Sequence, residues 1–130
     1  MTLKEYIYQT LRNDNVAEIG LHTLLGKSST PYGVYFMSPP EKPDFPIITY
    51  FINTQVGNFP REIPFMITAW GNNYEVIQDR IYTLLNDRVV EVSDYHNLFL
   101  KWDWASPEMW DDNYEIYFRQ DRFLSKGVRL

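Results

Sequence analysis

The chain has 130 residues, 45% of them hydrophobic, and carries 12 basic against 17 acidic side chains for a formal net charge of −5. This length fits one domain, residues 1–130, and the acidic balance without a Lys/Arg run argues against sequence-specific nucleic-acid binding. The absence of cysteine excludes a disulfide framework, a thiolate metal site and a thiol nucleophile.

Helical structure is predicted at the start of the chain. Thr2 and Glu5 have the spacing of a capping box, and apolar residues then recur every three or four positions as far as Asn13. Residues 16–25 continue this pattern and end at Gly26, a typical C-terminal cap. We therefore expect a helical hairpin or a kinked helix.

A proline-rich segment follows at residues 27–46, and only residues 33–37 within it are typical of a strand. Residues 45–54 and 61–70 are rich in β-branched and aromatic side chains, which predicts two strands joined by a turn at 56–60. Pro64 lies inside the second strand and predicts an edge position or a β-bulge there.

The clearest helix is predicted to begin after Asn72 or Asn73, with an apolar stripe up to Leu85 and a polar stripe that includes Gln78. Two further strands are predicted at residues 98–105 and 114–124, and the last four residues are expected to form a short flexible tail. These elements predict an α+β fold, in which an antiparallel or mixed sheet of about four to five strands has helices packed on one face.

No set of residues in the sequence predicts an active site. His22 and His96 each stand alone, without a second ligand at metal-binding spacing. The acidic residues between positions 103 and 112 lack the glycine turn and ligand rhythm of a calcium loop and are typical of a solvated turn. Nucleophile-elbow, phosphate-loop and zinc-protease motifs are missing. We therefore predict a non-enzymatic protein with no catalytic, metal-binding or cofactor-binding residues.

Three tryptophans lie close together near the end of the chain. Trp102 and Trp104 alternate along a predicted strand and are expected to point to the same face, while Trp110 falls in the following turn. Three interpretations remain open: core beneath the helices, contact with a neighbouring subunit, or a stacking platform for a sugar or a base. The prolines around Pro39 and Pro40 either stiffen a connection or form a polyproline ligand.

The order of these segments resembles the tail-completion and tail-terminator family of long-tailed bacteriophages, which includes tail-to-head joining proteins. The resemblance covers nearly the whole chain. It is carried by the opening helix, the short helix that ends in Leu24-Leu25-Gly26, the strand leading into Pro39-Pro40, and the sequences Phe45-Pro46-Ile47-Ile48-Thr49-Tyr50, Phe65-Met66-Ile67-Thr68-Ala69-Trp70 and Tyr114-Glu115-Ile116-Tyr117-Phe118-Arg119.

The resemblance implies a hexameric ring that caps the tail tube, so that the tube stops growing and the tail joins the head. The expected partners are other copies of the chain, the major tail tube protein and the head-to-tail connector protein, with DNA passing through the lumen without specific binding. The protein would then be a virion component that is assembled in the host cytoplasm and makes no membrane contact, since its longest apolar stretch is far too short to span a bilayer.

Two loops, at residues 39–45 and 55–62, are expected to reach neighbouring subunits or the tube, with Phe45 and Phe59 as anchors. The full set of candidate interface residues is Pro39, Pro40, Phe45, Phe59, Arg61, Trp102, Trp104 and Trp110. Two alternative functions stay open: a head-to-tail connector or adaptor ring of the neck, and a small ligand-binding module that uses an aromatic face.

Overall fold

The computed structural model describes residues 1–52 and 61–129, which form three helices and seven strands. In chain order these elements are α1 (Leu3–Arg12), α2 (Leu21–Leu25), β1 (Val34–Phe36), β2 (Ile47–Ile52), β3 (Arg61–Trp70), α3 (Tyr74–Leu85), β4 (Arg88–Val90), β5 (Tyr95–Ala105), β6 (Met109–Asp111) and β7 (Ile116–Arg129). None of the helices in the described ranges is long and apolar enough to cross a membrane.

All seven strands belong to one open sheet with the order β1-β2-β3-β7-β5-β4. β1 runs parallel to β2, and every other described pair is antiparallel. β6 also pairs with β7, on the side opposite β3, and continues the line of β5 along that strand. The sheet is therefore mixed but mostly antiparallel, as the sequence predicts.

The predicted count of four to five strands is too low, because β4 and β6 were not predicted. Each has three residues, which is too short for an alternating pattern to stand out in the sequence. β6 contains Trp110, which the sequence predicts to lie in the turn after residue 105. The strands that were predicted from period-two alternation are all present.

Burial alternates along the central strands and shows which face of the sheet carries the helices. In β3 the residues Ile63, Phe65 and Ile67 are buried, whereas Pro64 and Met66 between them are partly exposed. α3 packs on the side of the buried residues, which we call the helix face; the other side is the open face. The helix face holds the hydrophobic core, a set that includes Leu3, Ile7, Leu11, Leu21, Leu25, Ile77, Ile81, Leu85, Leu98, Leu100 and Phe123.

The first helix begins and ends as the sequence predicts. The Thr2 hydroxyl accepts a hydrogen bond from the Glu5 N–H at 3.2 Å, which is the N-cap half of the predicted capping box. The Glu5 carboxylate accepts from the Thr2 hydroxyl, at 3.3 Å, rather than from the Thr2 backbone N–H. Gly26 closes α2 with a φ of 65°. The predicted second helical segment is shorter in the structure, because residues 16–20 form a turn rather than helix. Glycine suits the end of this turn, since a Cβ on Gly20 would lie only 2.6 Å from the Val16 carbonyl oxygen.

The C-terminal residues belong to the sheet, so the predicted flexible tail is wrong for residues 127–129. Gly127 pairs with Arg61, and Arg129 pairs with Tyr95. The edge position or bulge predicted from Pro64 is wrong: β3 lies between β2 and β7, and its register on β7 passes Pro64 without a shift. On its other side the described pairing with β2 begins one residue later, at Phe65, so the missing N–H of Pro64 interrupts no described hydrogen bond between β2 and β3.

Candidate interaction surfaces

The two tryptophans of β5 lie on opposite faces of the sheet, which contradicts the same-face prediction. Trp102 pairs with Phe123 of β7, and Trp104 pairs with the adjacent residue Arg122. Asp103 is therefore an extra residue in a β-bulge, and a bulge shifts the alternation of side chains by one position. Trp102 follows Phe123 to the helix face, and Trp104 follows Arg122 to the open face.

Trp102 is half-buried at the rim of the core, where its indole N–H donates to Asp121 Oδ1 at 3.1 Å. The Gln78 side-chain amide donates to Asp121 Oδ2, also at 3.1 Å. Gln78 was predicted on the polar stripe of α3 but is buried, because it satisfies this carboxylate. Burial raises the pKa of Asp121 above its ordinary value, against the lowering effect of the two hydrogen bonds.

An open cleft of about 250 Å³ adjoins this buried carboxylate. Its lining includes Asp79, Tyr82 and Arg119 in addition to Trp102. Only one of the two β5 tryptophans reaches it, so the paired aromatic platform that the sequence allowed does not form. This arrangement argues against a stacking site for a sugar or a base built from Trp102 and Trp104.

Trp104 is 45% exposed on the open face. The Arg122 guanidinium lies 5.8 Å from the centre of its ring, and Arg122 Nε donates to Asp103 Oδ2 at 2.6 Å. The salt bridge therefore holds the arginine beside the indole. Trp104 remains a candidate contact residue with a defined orientation.

Phe45 is part of an aromatic cluster within the chain. Its ring centre lies 6.2 Å from Trp70 and 5.7 Å from Tyr114, and Trp70 also stacks on Phe118 at 4.5 Å. The Trp70 indole N–H donates to the Thr49 hydroxyl at 2.9 Å. The cluster fixes the end of the proline loop to the sheet. Phe45 is half-buried in this cluster, and its predicted contact with a neighbouring subunit or the tube stays a prediction.

The remaining loop candidates lie in separate parts of the chain. Pro39 and Pro40 are half-buried between β1 and β2. Arg61 begins β3 and pairs with Gly127. Phe59 lies outside the described residues.

Trp110 and Tyr117 form an exposed aromatic pair at the β6 edge of the sheet. They are cross-strand partners with ring centres 4.7 Å apart, and they are 49% and 42% exposed. The alternation along β7 places this pair on the helix face, beyond the part that the helices cover. Tyr117 was not a sequence candidate, and its pairing with Trp110 depends on the unpredicted strand β6.

Four acidic residues lie within two positions of this aromatic pair in the chain: Glu108, Asp111, Asp112 and Glu115. Glu108 accepts a short hydrogen bond from the Tyr74 hydroxyl, which raises the pKa of that phenol, and Asp111 Oδ1 accepts from the Tyr114 N–H at 2.9 Å. Asp112 and Glu115 are exposed, and within residues 1–52 and 61–129 neither forms an ion pair. We call these residues with Trp110 and Tyr117 the β6 edge.

The opposite edge of the sheet has exposed apolar and basic residues. Phe36 of β1 is 37% exposed, and Lys4 Nζ of α1 lies 3.7 Å from its ring centre. Further along the same side of α1, the Arg12 guanidinium lies 5.1 Å from the Tyr8 ring. We call Lys4, Tyr8, Arg12 and Phe36 the β1 edge. No sequence pattern marks it, because it joins a helix and a strand that are more than twenty residues apart.

The histidines and acidic residues considered as chemical candidates do not converge. His22 stacks on Tyr32 with ring centres 4.0 Å apart and contacts the Arg12 carbonyl, while His96 pairs with Val128 at the far end of β5. Among the described residues, no three acidic or histidine side chains are placed to hold a metal ion.

The fold of the chain is similar to that of a solved virion protein. No protein-family model matches the sequence, and no curated protein matches it. Among solved structures, the fold is similar to a chain in the virion of a native gene transfer agent (GTA) particle, with a TM-score of 0.73 and 16% sequence identity. The match covers 98% of this chain and 95% of that chain. The two chains therefore share a fold over nearly their full lengths.

Proposed function

We propose that the protein is a structural component of a phage-like virion, a ring subunit at the head-proximal end of the tail tube that ends tube growth and joins tail to head. The observation that carries this proposal is the near full-length similarity of fold to a chain of a GTA virion. The sequence resemblance to tail-completion and tail-terminator proteins gives the more specific role and the hexameric ring.

Two features of the chain suit such a ring. Its sheet is open, with β1 at one edge and β4 and β6 at the other, so copies of the chain can contact each other head to tail. Its net charge of −5 suits a lumen through which DNA slides, because like charges repel. The partners in this account are other copies of the chain, the tail tube protein and the head-to-tail connector protein.

The loop at residues 39–45 and the loop at 55–62 are proposed to contact the tube or a neighbouring subunit. Because Phe45 packs on Trp70, we expect Phe45→Ala to release this loop as well as to remove an anchor. The loop assignment fails if alanine at both Phe45 and Phe59 leaves ring formation and tail joining unchanged.

The test of the proposed function adds the purified protein to tail tubes assembled from the tube protein of the same particle. Negative-stain images are expected to show a ring of about six subunits at one tube end, and further tube growth is expected to stop. Val89→Ala serves as the control for the alanine variants at Phe45 and Phe59, since Val89 is 77% exposed on β4, which β5 and β7 separate from β3. Binding to the isolated portal connector but not to tubes would assign the protein to the neck instead.

A further inference from the structure

We propose that the β6 edge of one copy docks against the β1 edge of the next copy, so that the sheets of neighbouring subunits continue into one another. This inference rests on the proposed function and names the surfaces that would close the ring. Three independent properties of the two edges support it: charge, the face that carries the exposed rings, and strand direction.

The charges of the two edges are complementary. Lys4 and Arg12 lie on the β1 edge, and neither forms an ion pair within the described part of the chain. Asp112 and Glu115 on the β6 edge also form none there. A contact between the two edges would place unpaired cations next to unpaired carboxylates, which favours this partner and disfavours contact of either edge with itself.

The exposed rings of the two edges lie on the same side of the sheet. Phe36 pairs with Tyr50, whose ring stacks on Tyr8 of α1, so Phe36 lies on the helix face. Trp110 and Tyr117 lie on that face too. If the sheets continue from copy to copy, these rings meet Phe36 and the Lys4 ammonium rather than open solvent. Aromatic and cationic groups buried together are typical of the residues that dominate interface energetics.

Strand direction also agrees with this contact. β1 runs parallel to β2, while β6 runs antiparallel to β7, which makes β1 and β6 antiparallel to each other across the sheet. A ring operation that keeps strand direction therefore gives an antiparallel pair at the junction. Following the register across the sheet, β1 occupies the rows of residues 119–121 of β7, and β6 occupies the rows of residues 116–118. The two strands follow one another along the strand direction, so their junction includes a stagger of about three residues, or roughly 10 Å.

Charge reversal of each edge tests the contact. One variant carries Lys4→Glu and Arg12→Glu, the other Asp112→Lys and Glu115→Lys, and both leave the hydrogen bond of Asp111 to Tyr114 in place. Each variant alone is expected to associate at least tenfold more weakly than wild type, by light scattering over a concentration series. An equal mixture is expected to assemble again, because the intact edges match each other and so do the reversed ones.

A control variant with Asp87→Lys and Glu91→Lys makes the same change of charge as the Asp112→Lys and Glu115→Lys variant, on exposed residues next to β4. It is expected to assemble as wild type does. If either edge variant assembles normally, or if the mixture stays dissociated while wild type forms rings, the contact between these edges is wrong and the proposed function stands. If wild type makes no ring alone or on tail tubes, the proposed function fails, and this inference fails with it.

Cross-linking supplies a second readout that does not rely on charge. The chain has no cysteine, so Phe36→Cys and Trp110→Cys in one chain react with a short bis-maleimide without background. The double variant is expected to give a ladder of dimers, trimers and larger species. Each single variant is expected to stay monomeric, and dimers from Phe36→Cys alone would show that the edge contacts its own copy, which would overturn the inference.

Discussion

Replacing Asp14 by alanine is expected to destabilise the protein by about 3 kcal/mol, because it leaves the Arg80 guanidinium without its partner near the core. Arg80 Nε and one of its terminal nitrogens each donate to the Asp14 carboxylate at 2.8 Å, and the Leu21 N–H donates to it at 2.8 Å. The Asp14 side chain is only 2% exposed and that of Arg80 14%. This single carboxylate joins the turn before α2 to α3.

Urea unfolding at pH 7, followed by far-UV circular dichroism, measures the loss directly. Asp44→Ala is the matched control, since Asp44 also forms an ion pair, at 3.7 Å with Lys27, but its side chain is 91% exposed. Removing an exposed pair is expected to cost less than about 1 kcal/mol. Equal losses in the two variants would refute the reasoning, because burial would then not decide the strength of the pair.

The Asp14 carboxylate also makes the stability of the folded protein depend on pH. Burial alone would raise the pKa of Asp14, but the hydrogen bonds from Arg80 and from the Leu21 and Val16 N–H groups outweigh it and hold that pKa below its ordinary value. Its contribution is therefore complete above the unfolded-state pKa of about 3.9 and is lost as the pH falls through the lower folded-state value. The Asp14→Ala variant should consequently lose less stability than wild type does on acidification.

Three further predictions concern the aromatic and buried polar residues. Asp121→Asn should change stability at pH 7 by less than about 1 kcal/mol. Because the raised pKa of the buried Asp121 costs the folded state stability as the pH rises, the variant should be more stable at pH 7 relative to pH 4 than wild type is. Urea unfolding at both pH values checks this, and a wild-type pH profile in the variant would contradict it. Phe45→Ala should lower the stability of the isolated chain by about 1 to 2 kcal/mol through loss of the Trp70 contact, and an unchanged urea midpoint would place Phe45 outside the cluster. Trp102→Ala should cost about 3 kcal/mol but Trp104→Ala less than about 1, since they lie on opposite faces; equal losses would contradict the bulge between them.

Local signals in the sequence predict the helix ends and the central strands well. The N-cap at Thr2, the glycine cap at Gly26 and the alternation along β3 each depend on residues close together in the chain, so the pattern and the structure agree. The strand predicted directly after the proline-rich segment likewise begins where the β-branched residues begin, at Ile47.

Features that depend on distant partners could not be predicted in this way. The extra residue Asp103 becomes a bulge only because of its pairing with β7, and that pairing sends Trp102 and Trp104 to opposite faces. Gln78 is polar in the sequence but buried in the fold because Asp121 lies opposite it. The two charged edges are assembled from elements far apart in the chain, so composition predicts partner contacts without indicating where they lie.

The most direct test of the central claim is the mass of the intact protein by light scattering, alone and after incubation with tail tubes of the same particle. We expect a closed species of about six times the 15.5 kDa chain mass, either free or at tube ends. Electron microscopy of the same sample is expected to show ring-shaped particles. A chain that stays monomeric at every concentration and leaves the tubes bare would contradict the claim that it is a ring subunit of a virion.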